Sequence, residues 1–113
     1  MAEKTVVIIE KFYQLMVWTV PKLGKFPRDQ RFLLADKIQT IMTEVLESLI
    51  VAAYSKKKIA ILREVNLKLE KLRFLSRLAK DLKYINVKGY HYFNNNINEV
   101  GRMVGGWIKK IED

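Results

Sequence analysis

No cysteine occurs among the 113 residues, which excludes a disulfide framework, thiolate zinc sites and a cysteine nucleophile. That absence fits a reducing compartment, and a cytoplasmic protein is expected. Glycine (5) and proline (2) are scarce and lie mostly at the edges of periodic segments, which disfavours many short turn-linked strands. Long hydrophobic runs are missing too. Val6 to Ile9 is followed at once by Glu10 and Lys11, too short for a secretory core, and nothing approaches the roughly 20 apolar residues that span a bilayer. A soluble chain with no membrane partner is the expectation. No glycine-rich loop follows a strand to cradle a nucleotide, and no Glu-x-x-His pair of the di-iron type is present.

What remains is a chain of which 50% is hydrophobic, enough at this length for one core and one domain over 1–113. Apolar residues recur at helical spacing in four segments. In 5–23 the stripe reads Ile9, Phe12, Met16 and Val20, with Pro21 distorting the last turn and Gly24 stopping the helix. Pro27 suits the first position of the next helix and Asp29 its N-terminal dipole. That second helix, 27–54, aligns Leu34, Ile38, Ile41, Val45, Leu49 and Ala52, with Met42, Leu46 and Ala53 on its shoulder. Ser55 is placed as N-cap of a third helix over 55–85, and Asn86 as cap of a fourth over 87–111, whose core face is Tyr90, Phe93, Ile97, Val100, Val104, Trp107 and Ile108. Gly101 and Gly105 are read as allowing close helix approach and Gly106 as loosening the last turn. Short connections between long helices predict an all-α, up-down-up-down four-helix bundle.

The third segment carries two further features. It holds ten basic residues (Lys56, Lys57, Lys58, Arg63, Lys68, Lys71, Arg73, Arg77, Lys80, Lys83) against Glu64, Glu70 and Asp81, or +7 of the chain's +9. Its core side is Leu62, Val65, Leu69, Leu72, Ala79 and flanking Leu75, while Leu67, Phe74, Leu78 and Ile85 project nearly opposite, where a lone bundle has nothing to cover them. A homo-oligomer follows, with Trp18 as a second interface anchor. Arg63, Asn66, Glu70, Arg73, Arg77 and Tyr84, with Lys80 beside them, form a line between the two apolar sectors that suits phosphates or an acidic partner; Glu70 can equally pair with Arg73 and Arg77. The lysine run at 56–58 reads as a solvated helix start. It stands at the unfavourable end of a helix dipole.

Catalytic chemistry is not indicated. His91, the single histidine, lies on the polar side of the fourth helix near Asn94, Asn95 and Asn98 without a carboxylate or serine partner at helical spacing. Glu44 and Glu47 read as a solvated face. No enzyme activity, cofactor or metal is expected.

Three segments in order, Phe26-Pro27-Arg28-Asp29-Gln30-Arg31-Phe32, Leu72-Arg73-Phe74-Leu75-Ser76-Arg77-Leu78-Ala79-Lys80-Asp81-Leu82 and Val100-Gly101-Arg102-Met103-Val104-Gly105-Gly106-Trp107, resemble the accessory variability determinant (Avd) family of diversity-generating retroelements. The likeness covers about 12–109. More distantly the chain is similar to four-helix proteins encoded in intervening sequences of large-subunit ribosomal RNA genes. The Avd resemblance implies a non-enzymatic bundle forming a basic homopentameric barrel that binds a reverse transcriptase and RNA, with DNA as a further candidate ligand, during mutagenic copying. It nominates Arg73 and Arg77 as the leading contacts and leaves Arg28, Arg31 and Arg102 as either structural or contacting; Lys80, Arg63 and Lys83 of the basic third segment are further candidate contacts. The alternative it leaves open is a stand-alone oligomeric interaction protein of the ribosomal-insert type, meeting an acidic protein or nucleic acid.

Overall fold

The computed structural model describes residues 3–112; Met1, Ala2 and Asp113 of the expected unit lie outside the described residues, as do the side chains of Glu3, Lys4 and Val6. α1 covers Glu3–Leu23. α2 runs over 28–54 in three continuous parts: Arg28–Gln30, a π-helical turn Arg31–Ala35, and Asp36–Tyr54. α3 covers Ile59–Asp81 and α4 Val87–Glu112, so the described residues form four helices and no strand.

Side-chain pairs fix the antiparallel order. Lys11 meets Glu99 at 3.0 Å and Trp18 meets Tyr92 at 4.5 Å between ring centroids, so α1 runs against α4. Arg63 to Glu112 at 3.6 Å and Arg73 to Asn98 at 2.7 Å do the same for α3 and α4, and Lys68 reaches Glu44 of α2 at 4.0 Å. The result is an up-down-up-down bundle measuring 45 × 22 × 20 Å.

α2 buries Leu34, Ile38, Ile41, Met42, Val45, Leu49 and Ala52 as the spacing predicts, and α4 buries Phe93, Ile97, Val100 and Val104 with Tyr90, Trp107 and Ile108 at the margins. α1 is rotated from expectation. Its buried face is Ile8, Phe12, Leu15, Thr19 and Leu23, while Ile9 and Met16 are half-buried and Val20 is exposed. Two overlapping apolar arcs made the choice ambiguous, and Thr19 can be buried because its hydroxyl donates to the Leu15 carbonyl at 2.7 Å. Pro21 lies inside α1, which continues to Leu23.

The helix ends differ most from the pattern. Pro27 is the N-cap, not the first helical residue, with φ −50° and ψ 145°; its carbonyl accepts from the amides of Gln30 (2.8 Å) and Arg31 (3.0 Å). Ser55 ends α2 instead of starting α3, with its Oγ taking the Lys57 amide at 3.2 Å. The lysine run is therefore a connection. Lys58 Nζ donates to the Ala52 carbonyl at 2.7 Å and to that of Ala53 at 3.3 Å, which places its charge at a helix C-terminus, where a cation is favourable.

α3 stops at Asp81, short of 85, in a Schellman turn: Lys83 donates its amide to Lys80 at 2.9 Å and Tyr84 to Ala79 at 2.8 Å, with Lys83 at φ 65°. Ile85 thus falls beyond the helix and packs half-buried against the core, leaving the exposed stripe. Asn86 caps α4 as expected, its Oδ1 accepting the Gly89 amide at 2.7 Å. Of the three glycines over which close helix approach or a loosened turn is expected, Gly101 meets a neighbouring helix. A Cβ there would lie 2.9 Å from Arg73 Nη2 and 3.9 Å from Leu69, whereas one on Gly105 or Gly106 would meet nothing within 4 Å, and the helix runs straight through both.

Because a left-handed lysine is strained where glycine is not, Lys83→Gly should stabilise the fold by about 1 kcal/mol, read as a melting temperature raised by a few degrees. Asn86→Ala should lower stability by about 1 kcal/mol in the same measurement.

Candidate nucleic-acid and partner interface

Distributed over the bundle, the charge does not follow α3. Of the ten basic residues in 55–85, Lys56, Lys57, Lys58 and Lys83 lie outside that helix, and its remaining six face three acids. The middle of the bundle is close to neutral. There Lys11 pairs with Glu99, Lys68 with Glu44 and Arg73 with Glu70.

Positive charge concentrates where α1 and α3 end and α2 and α4 begin. Residues 22–37 and 77–91, which fold to that end, hold nine basic side chains against Asp29, Asp36 and Asp81, a net +6 of the chain's +9. Arg28, Arg31 and Lys83 are exposed there. Arg77 stands 3.9 Å from Asp81, and Lys80 lies 3.4 Å from the same carboxylate with its ammonium 4.6 Å from the Tyr90 ring centroid. Linear counting missed this cluster because its two halves are forty residues apart in sequence (~40 by residue number) and adjacent only once the helices turn back.

Arg73 has a more structural position than its motif suggests. Its Nε donates to Asn98 Oδ1 at 2.7 Å and its Nη1 to Glu70 at 3.1 Å, so the half-buried guanidinium ties α3 to α4 across Gly101. Asn66 and exposed Arg102 complete a shallow polar cleft around it. Arg63, at the opposite end, reaches Glu112.

The outer face of α3 exposes Leu67 (51%), Phe74 (61%) and Leu78 (45%), three large apolar side chains on one side of one helix. Trp18 is not among such exposed residues. It is half-buried against the core, stacked at a tilt on Tyr92, with Lys22 Nζ 4.0 Å from its ring centroid. The pattern also passed over Phe32 (77% exposed) and Leu33 (63%), which the π turn holds outward beside Arg28 and Arg31. Their signal was present: both lie off the Leu34–Ile38–Ile41 stripe.

His91 is exposed, its ring 5.4 Å from that of Tyr90. Glu44 is engaged by Lys68 and Glu47 faces solvent. Among the described residues no three His, Cys, Asp or Glu side chains gather as a metal site, and no helix is long and apolar enough to cross a membrane.

The fold is shared with a solved structure, that of a protein of unknown function from the S23 ribosomal protein family of Bacteroides thetaiotaomicron. The two superpose with a TM-score of 0.84 at 19% identity, over 94% of this chain and 98% of that one. None of the curated proteins matches the chain. A four-helix bundle with a basic end, an outward apolar face on α3 and the Phe26 to Phe32 turn is accompanied by a match of the bAvd-like family model to residues 6–111, and the chain belongs to that bAvd-like family.

Proposed function

We propose that this protein is a non-enzymatic accessory subunit of a diversity-generating retroelement, binding the reverse transcriptase and its template RNA to support mutagenic cDNA synthesis. The family match over 6–111, nearly the full bundle, carries this reading. The charge layout supports it: a field of +6 at one end attracts a polyanion, and exposed arginines present forked donors for phosphate. Arg28, Arg31, Arg77, Lys80 and Lys83 make the phosphate contacts in this scheme, whereas Arg73 holds the two helices that present them. The outer face of α3, through Leu67, Phe74 and Leu78, joins copies of the chain into the homopentameric barrel implied by the resemblance, and so repeats the basic end around a ring. Phe32 and Leu33, apolar beside two arginines, suit the protein partner.

Log affinity for single-stranded RNA should fall with log salt by about 0.7 per phosphate contact, and replacing Arg28, Arg31 and Lys83 together by alanine should flatten that slope by about 2. Arg73→Ala should leave the slope nearly intact and lower stability by about 1 kcal/mol. A slope untouched by the triple variant would refute the assignment. For the assembly, Phe74→Glu with Leu78→Glu should sediment as a protomer with unchanged helical content; persistence of the parental oligomer would place its interface elsewhere. Co-purification with a retroelement reverse transcriptase, with and without nuclease, tests the partner itself.

A further inference from the structure

The basic end of the bundle holds a partly open cavity of about 240 Å³ between the end of α1, the α3–α4 turn and the start of α4. Its walls include Trp18, Phe26, Tyr84 and Phe93, and Lys22 and Lys25 line it as well. The volume falls below the roughly 300–1,000 Å³ of sites for drug-sized ligands, which leaves room for one flat ring system. Bundle interiors are otherwise close-packed, so an aromatic-walled void beside the core forfeits contacts that an occupant would restore.

The lining also includes hydrogen-bonding groups. Ser76 Oγ donates to the Arg73 carbonyl at 3.0 Å and Thr19 Oγ1 to Leu15 at 2.7 Å, so each retains acceptor capacity. Asn86 commits its oxygen to the Gly89 amide, which leaves its NH₂ group as a donor. Gly89 supplies no side chain to the wall; a Cβ there would lie 3.7 Å from Trp18. The Lys22 ammonium stands 4.0 Å from the centroid of the Trp18 ring, a cation resting on an aromatic face.

Aromatic walls, hydrogen-bond donors and acceptors in the lining, two lysines and a surrounding field of +6 together select a planar group attached to negative charge. We infer that this cavity seats one unstacked base of the bound single-stranded RNA, with the adjoining phosphate against Lys22 and Lys25. The inference rests on the RNA-binding reading above. In it the phosphate replaces the indole as partner of the Lys22 ammonium, and the base stacks within the aromatic walls.

The test uses a Trp107→Phe protein, which leaves Trp18 as the single tryptophan, and two probes of equal length: a short oligoadenylate RNA and its abasic ribose-phosphate counterpart. Oligoadenylate should quench Trp18 emission and the abasic strand, though bound, should not. Ile85→Phe, which adds bulk to the lining, should weaken oligoadenylate binding about tenfold while leaving the salt slope unchanged, because a stacked base and no phosphate contact is lost. The quenching comparison needs no filled variant, so it stands even where Ile85→Phe misfolds. Equal emission with both strands bound would overturn the cavity assignment and leave the RNA-binding function in place. So would an Ile85→Phe defect confined to self-association or polymerase binding, which would make the occupant a protein side chain. Failure of both strands to bind would remove the RNA-binding reading and this inference with it.

Discussion

Closure of the apolar interior along the bundle axis is the constraint on which the other properties depend. Phe12, Met42, Leu49, Leu62, Leu69, Leu72 and Ile97 are fully enclosed, each drawn from one face of one of four helices. Truncating any of them to alanine carries a typical cost of about 2–5 kcal/mol, a large part of the stability of a domain this size. That demand fixes the rotation of each helix about its axis, and with it what is left outside. On α3 the core side occupies one sector, the Arg73 clamp the next, and Leu67, Phe74 and Leu78 the far side. The outward apolar face is thus a by-product that only a second surface can cover.

Antiparallel closure also sorts the charge. Helices whose middles face one another bring Lys11 within reach of Glu99 and Lys68 within reach of Glu44, Arg73 meets Glu70 one turn away on its own helix, and these pairs neutralise the waist while contributing little individually to stability. Cations near the turns have fewer acids at hand. The two chain reversals at one end, one through Pro27 and one through Lys83, bring their surplus together without either segment being strongly basic by itself. The positive field at that end is accordingly a property of topology more than of any motif.

How much of this was legible in the sequence varied by element, for physical reasons. α2 and α4 each have one apolar stripe, so their buried faces were read correctly. α1 has two overlapping arcs, and a threonine satisfied by its own helix displaced Met16 from the centre of the core. The end of α3 was misjudged because the residue in the left-handed position is lysine, where glycine would have signalled the stop. Of the candidate site residues, Arg28, Arg31 and Lys83 are presented openly at the basic end, while Arg73 is engaged and Trp18 is turned to the core. The aromatic cavity left no trace in the pattern, since its walls come from segments that meet only after folding.

The reversal between α2 and α3 is held by an amine. Lys58 sits over the last carbonyls of α2, performing with a titratable, chemically reactive group what a hydroxyl or a glycine does at many helix ends. Any acylating agent that reached this nitrogen would erase its charge and two of its three proton-sharing positions. The far tip of the molecule, distant from the basic end, would then fray first, giving the bundle a point at which covalent labelling could loosen one pole while the other stayed closed.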